Sequence, residues 1–222
     1  MEATVIKITP DTKHISSFRF TPVQKMAFQP GQWMYVRLSE SLKHHFTISS
    51  SPTEDFLQIT TMLRPESEYK QALFALKEGD KVDINGPFGS FVLDSGDQTP
   101  RLFVAGGIGI TPFRCMAKFT ADKKLAHDLV LLYSVKSVAE AAFASELTDL
   151  AAQNHNFKIK VIESSQEGRL DEEKIKKYCP DWQNRSMWIC GPPAMVEAFT
   201  GLAQQLGLPA DKIKSEEFTG YA

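Results

Sequence analysis

The feature that most constrains the fold is a change of rhythm at Ser95-Gly96-Asp97-Gln98-Thr99-Pro100. Before this polar stretch, short runs of alternating apolar and polar residues follow one another, with the period of half-buried strands. Met34, Val36 and Leu38 alternate with Trp33, Tyr35 and Arg37, and similar runs lie at 3–9, 13–20, 46–51, 56–63, 80–85 and 89–93. Turns such as Gln29-Pro30-Gly31 and Glu78-Gly79-Asp80 separate them. So many short strands in so little chain predict an antiparallel barrel or sandwich. The single helical interruption is 67–77, opened by Ser67, a residue type that caps helices.

Beyond the change, apolar strands at 102–106, 129–134, 157–162 and 186–190 alternate with helical stretches near 112–121, 138–152, 170–178 and 193–206. A last short strand is expected at 212–215. That alternation predicts a doubly wound parallel sheet with right-handed crossovers. The chain therefore reads as two domains: an antiparallel Greek-key β-barrel over 1–98, then an α/β domain over 99–222. Doubly wound sheets take their ligands at the carboxyl ends of the strands.

The first of those strands, Leu102-Phe103-Val104, runs straight into AGGIGITPF at 105–113. Gly106, Gly107 and Gly109 allow a turn tight enough for N–H groups to face an anion. Thr111 is expected to cap the following helix, and Pro112 suits a first turn, where a missing N–H costs nothing. With Ile110 between them, the stretch is a candidate diphosphate site; a purely structural glycine turn is the alternative.

Composition removes several function classes. A formal net charge of -2 gives no basic excess for nucleic-acid binding. No apolar run reaches the roughly 18 residues that span a bilayer, and MEATVIKITP lacks a signal-peptide pattern. A cytoplasmic protein without a membrane span is expected. Cys115, Cys179 and Cys190 are too few and too scattered for a disulfide framework or an iron–sulfur cluster. His44-His45 is the one adjacent histidine pair, and no metal site is expected.

Residues 44–52 read HHFTISSSP. In this architecture they resemble the flavin-binding segment of the ferredoxin–NADP reductase family. That segment runs Arg, any residue, aromatic, Ser/Thr, then two more residues to a small hydroxyl residue. Phe46 falls at the aromatic position, Thr47 at the hydroxyl position and His44 at the arginine. Further landmarks follow in order. They are Pro30-Gly31-Gln32, the helix Ser67 to Lys70, Gly86-Pro87-Phe88-Gly89, the glycine turn, Cys190-Gly191-Pro192-Pro193-Ala194-Met195 and Glu217-Phe218. The resemblance covers essentially the whole chain, which is identified as a member of that family.

The resemblance implies FAD, with FMN second, and NAD(P)H as hydride donor. Phe46 would stack on the flavin ring, and Thr47 would set its hydroxyl at N5, the hydride acceptor. His45, Ile48 and Ser49 on the same segment, Thr60, Thr61 and Met62 on the next strand, and Ser67, Tyr69 and Lys70 on the helix complete the implied flavin site. His44 departs from the pattern. A guanidinium grips a diphosphate with two parallel bonds, whereas histidine titrates around pH 6.5 and offers one donor. Weaker flavin retention is expected, worsening as pH rises through that titration. A solvent-facing strand residue is the alternative for His44.

On the nicotinamide side, the resemblance implies Cys190 beside C4 as a positioning group, with Gly191, Pro192 and Met195 around it. A small buried apolar residue is the alternative for Cys190. Phe218, with Tyr221 second, would cover the flavin face that nicotinamide must reach. One of Glu216 and Glu217 neighbours the site, and Glu217 is the candidate. Ser134, Lys136 and Ser137 follow a strand with no acid before Glu140, which tilts the donor toward NADPH; Arg169 is a further candidate for its extra phosphate.

The expected activity is that of an FAD-dependent NAD(P)H oxidoreductase passing electrons to a separate acceptor. That acceptor would be a ferredoxin-like protein, a haem or diiron partner, or a small molecule. Two rivals remain: a flavin reductase that releases reduced flavin, and an electron-transfer subunit without turnover of its own.

Overall fold

The computed structural model describes residues 1–218. Six antiparallel strands come first: β1 (Glu2–Pro10), β2 (Ile15–Pro22), β3 (Trp33–Arg37), β4 (Lys43–Thr47), β5 (Leu57–Met62) and β6 (Lys81–Phe88). Their order in the sheet is β4-β3-β6-β1-β2-β5. The two ends of the sheet meet just past β4, where Ser49 N–H donates to Gln58 O at 2.7 Å, so the sheet curls into a Greek-key barrel. Alternation fills its interior with Phe18, Phe20, Met34, Val36, Ile59 and Ile84. Helix α1 (Glu68–Phe74) closes one end with Tyr69 and Leu73. β5 breaks the two-residue period, because Leu57 to Thr61 are all buried.

The second sheet is parallel. It contains β7 (Arg101–Gly106), β8 (Leu129–Val135), β9 (Phe157–Glu163), β10 (Ser186–Gly191) and β11 (Ile213–Glu217), in the order β11-β10-β7-β8-β9. Helices α2 (Thr111–Asp122), α3 (Ala144–Gln153), α4 (Ser164–Glu167), α5 (Glu172–Tyr178) and α6 (Pro193–Gln205) connect the strands. β7 and β10 are buried throughout, which explains their continuous apolar runs. Phe103, Phe113, Tyr133 and Trp188 pack on one face; Leu132, Ile175, Val196 and Phe199 pack on the other. The order reverses between β7 and β10, so the turns after these two strands open side by side. Such a switch point is where an open α/β sheet takes its ligand.

Several local expectations are corrected. The strand expected at 46–51 ends at Thr47, because the serines turn away: Ser51 N–H bonds the Glu54 carboxylate and the Ser50 hydroxyl accepts from Gln58 N–H. Residues 89–93 form no strand; Phe91 and Leu93 leave the barrel and pack between Phe103, Phe113 and Trp188. The helix over 67–77 ends at Phe74. The helix over 138–152 is broken at Phe143, which has a left-handed φ of 61°. Thr111 does not cap α2. A 3-10 turn over Gly107–Ile110 precedes that helix, and the Thr111 hydroxyl donates back to Ile108 O at 3.1 Å. Among the described residues, no helix is long and apolar enough to cross a membrane.

Candidate functional site

A cavity of about 380 Å³ lies between the two sheets. The barrel contributes Trp33, His45, Phe46, Thr47, Thr60, Thr61, Met62, Arg64 and Lys70 to its wall. Facing them are Gly106, Gly107, Ile108 and Thr111 from the glycine turn, Pro192 and Pro193 after β10, and Glu216, Glu217 and Phe218 at β11. Residues far apart in the chain are thus gathered by the two turns at the switch point.

The chemistry of the wall is divided. Phe46 supplies a flat apolar surface, and the Lys70 ammonium sits 4.4 Å from its ring centroid and donates to the Thr61 hydroxyl. Burial, helped by Arg64, brings Lys70 from its ordinary 10.5 down to about 7. His44 and His45 are both lowered below 6.5, first by burial and then by Lys70. At the opposite wall, burial raises Glu216 from 4.5 to about 7. The Thr47 hydroxyl and Glu216 Oε2 are buried and find no hydrogen-bond partner among the described residues. Unsatisfied polar atoms in a cavity wall mark where a ligand's polar edge belongs.

A bound flavin needs a flat apolar face, hydrogen-bonding groups along its edge and a cation for its phosphates. Phe46, the orphaned Thr47 hydroxyl, Lys70 and Arg64 provide these. The residues present fit that group.

The glycines act by close approach. A Cβ on Gly109 would lie 2.3 Å from Cys190 O and 2.7 Å from Gly191 N, and one on Gly106 would lie 2.1 Å from Met195 Sδ. Of the three glycines in this turn, only Gly107 takes a positive φ, 52°. The β7 turn therefore seats directly on the end of β10. Phe218 N–H donates to Gly191 O at 2.9 Å and brings the Phe218 ring to the cavity.

Other anticipated residues lie behind the wall or away from it. Ile48 is in the barrel core, Ser49 is buried against the Thr60 hydroxyl at 2.9 Å, and Ser67 caps α1. Tyr69 donates to Val36 O at 2.9 Å, and His44 meets its ring edge-on at 4.3 Å rather than lining the cavity. Cys190, Ile110 and Pro112 are buried, and burial pushes the Cys190 thiol well up. Ser134 is half-buried at the end of β8, with Lys136 and Arg169 exposed beyond it. Tyr221 falls outside the described residues. Trp33, Arg64, Ile108 and Pro193 were not anticipated; Arg64, a cation three residues before the Ser67 cap, was the one with a legible signal.

Glu216 is the more enclosed of the two acids, since Glu217 is exposed. Its raised value means that the folded state holds a proton which the unfolded chain releases near 4.5. Stability from this group is present below 4.5 and lost as pH rises to about 7. Glu216→Gln is therefore expected to melt about 2–4 °C above the parent at pH 8, the effect of about 1 kcal/mol in a chain of this size, and no higher at pH 4.5. Equal shifts at both pH values would show that Glu216 is not the buried acid.

Residues 3–93 match the family described as "Oxidoreductase FAD-binding domain", and residues 103–200 match "Oxidoreductase NAD-binding domain". The chain belongs to the ferredoxin–NADP reductase-like family. Its FAD site lies in the barrel half, and its nicotinamide nucleotide belongs to the parallel-sheet half of this reductase fold. Flavohemoprotein A of Dictyostelium discoideum is 28% identical over 94% of this chain and 57% of its own. The glycine betaine monooxygenase reductase subunit of Pseudomonas aeruginosa is 28% identical over 96% of this chain and 63% of its own. The chain thus spans about three fifths of each of these relatives. The solved cytochrome P450 reductase GcoB of Amycolatopsis shares the fold with a TM-score of 0.87 over 99% of this chain and 70% of that one, at 21% identity.

Proposed function

We propose that this reductase-family chain takes reducing equivalents from NAD(P)H and delivers them to a separate redox partner. Held by Phe46, Thr47, Lys70 and Arg64, a flavin would supply a hydride-accepting N5 opposite the nicotinamide and the release of single electrons, which a nicotinamide does not readily offer. The observation that carries this reading is the orphaned Thr47 hydroxyl, set in the same cavity wall as Phe46 and opposite the glycine turn.

In this reading residues 1–98 hold the flavin and 99–222 the nucleotide. Phe46 supports the ring, Thr47 donates toward N5, and Lys70 with Arg64 hold the phosphate-bearing tail. Gly106, Gly107 and Pro192 leave room for the nicotinamide, Phe218 covers the ring face until the nicotinamide arrives, and Glu216 supplies a proton-holding group. Cys190 acts from behind, by shaping the end of β10. Ser134, Lys136 and Arg169 favour NADPH. The acceptor is a protein, with a haem, an oxygenase component or a ferredoxin-like protein as candidates; the monooxygenase reductase subunit and the flavohemoprotein among its relatives support that choice. A cytoplasmic setting accords with three buried free thiols.

A second reading, a flavin reductase that releases its flavin, draws on His44 lying off the cavity wall. An absorbance spectrum after exhaustive dialysis, followed by anaerobic addition of NADH or NADPH, tests both. The expected result is a yellow protein that bleaches, more readily with NADPH. Colour lost on dialysis favours the flavin reductase, and a flavin-loaded protein that neither nucleotide bleaches defeats the proposal.

A further inference from the structure

Behind the cavity, where the halves meet, Arg114 is almost completely buried on α2. All five of its N–H protons are used. Two go to the Glu54 carboxylate, which belongs to the barrel half. Two more go to Glu146 on α3, from Nε at 3.1 Å and from the second terminal nitrogen. The fifth goes to Ser49 O at 3.0 Å. A planar guanidinium gripping two carboxylates edge-on defines directions as well as distances, which a lysine cannot do. Its surroundings commit further structure to the same point. Phe143 keeps its left-handed backbone while its ring lies 5.6 Å from the Arg114 guanidinium, and α3 starts at the next residue. Ser51 N–H binds Glu54 at 2.7 Å. From the half-buried Asp11 carboxylate, the buried hydroxyls of Ser17, Thr60 and Ser49 link the back of β5 to the same spot in steps of 2.6, 2.8 and 2.9 Å.

The position of this clamp gives it meaning. Ser49 lies two residues after Thr47, and Arg114 three residues after Thr111, and both threonines line the cavity from opposite halves. Buried ion triads seldom add net stability over an apolar core, and in some proteins what they add instead is the choice of one arrangement among several. We propose that Arg114 is a positioning residue for hydride transfer, setting the gap between the flavin-side wall at Thr47 and the nucleotide-side wall at the glycine turn. This rests on the function proposed above. Misplacing reacting atoms by a fraction of an ångström slows transfer while leaving each ligand its own contacts.

The test uses the full chain loaded with FAD and compares Arg114→Lys with Glu146→Gln, a milder change at a carboxylate that is one-third exposed. FAD affinity, NADPH affinity, the saturating rate of flavin bleaching and the long-wavelength absorbance of stacked nicotinamide and flavin are measured for each. The expected result is both affinities within about threefold of the parent, a saturating rate at least about tenfold lower, and a weakened long-wavelength band, with Glu146→Gln intermediate. Saturating rates within about twofold of the parent overturn the proposal. So do affinities that fall in step with the rate, which would mark a merely structural role. If Arg114→Lys does not fold, Glu146→Gln alone decides. A parent protein that neither nucleotide bleaches overturns the proposed function, and this inference with it; that outcome is distinct because it appears before any substitution is made.

Discussion

Gly109→Ala is expected to lower the melting temperature by about 6–12 °C and to abolish nicotinamide binding. The added methyl has nowhere to go. It would stand 2.3 Å from Cys190 O and 2.7 Å from Gly191 N, and both are backbone atoms of a strand end buried on all sides. Relief requires β7 and β10 to separate where their turns meet, and overpacking of this kind costs about 3 kcal/mol. In a chain of this length each kcal/mol is worth about 2–4 °C. Gly107→Ala makes the informative contrast, because no atom lies within 4 Å of its Cβ position and only the positive φ opposes it. That change should cost about 1 kcal/mol. Thermal melts and NADPH titrations of the two variants check the expectation. Equal losses in both would mean that backbone freedom, rather than close approach, is what the glycine turn requires.

The second large effect concerns Lys70. Lys70→Met should weaken FAD and FMN binding about 10- to 100-fold, the worth of charge-assisted bonds to a phosphate, and leave riboflavin binding little changed. The parent should also loosen its flavin as pH rises. Lys70 is lowered to about 7, so its ammonium is charged below that pH and neutral above it in the ligand-free protein. Binding a phosphate then requires proton uptake, and affinity falls by up to about tenfold per pH unit above 7. His44 and His45 do not blur this window, since both have values below 6.5 and lose their protons first. Fluorescence titrations with FAD, FMN and riboflavin between pH 6 and 9 provide the measurement. A parallel decline for riboflavin would remove Lys70 from the phosphate end.

Most of the architecture was legible because each half obeys one local rule. Period-two runs marked the barrel strands, and apolar strands alternating with helices marked the parallel sheet. The rule failed where burial came from the other half. Residues 89–93 look like a strand because Phe91 and Leu93 are apolar at alternate positions, yet they serve the second core. Phe143 broke an expected helix for a tertiary reason, namely its place against Arg114. At the cavity, Phe46, Thr47, Lys70 and the glycine turn were readable as motifs. The choice between Glu216 and Glu217 was not, because both reach the cavity and only the register of β11 on β10, with Glu216 opposite the buried Cys190, encloses the first and leaves the second exposed. Arg114 carried no motif at all. Its partners lie 60 and 32 residues away, and nothing local announces such a meeting.

The position of Phe91 bears on how such proteins change over generations. Its ring stands 5.1 Å from that of Trp188 and 5.9 Å from that of Phe113, inside the interior of the other half. A foreign nucleotide half grafted onto this barrel would therefore present a hollow shaped for a different side chain. Each half carries a piece of its neighbour's jigsaw, so the two are bound to drift together rather than be exchanged like loose parts.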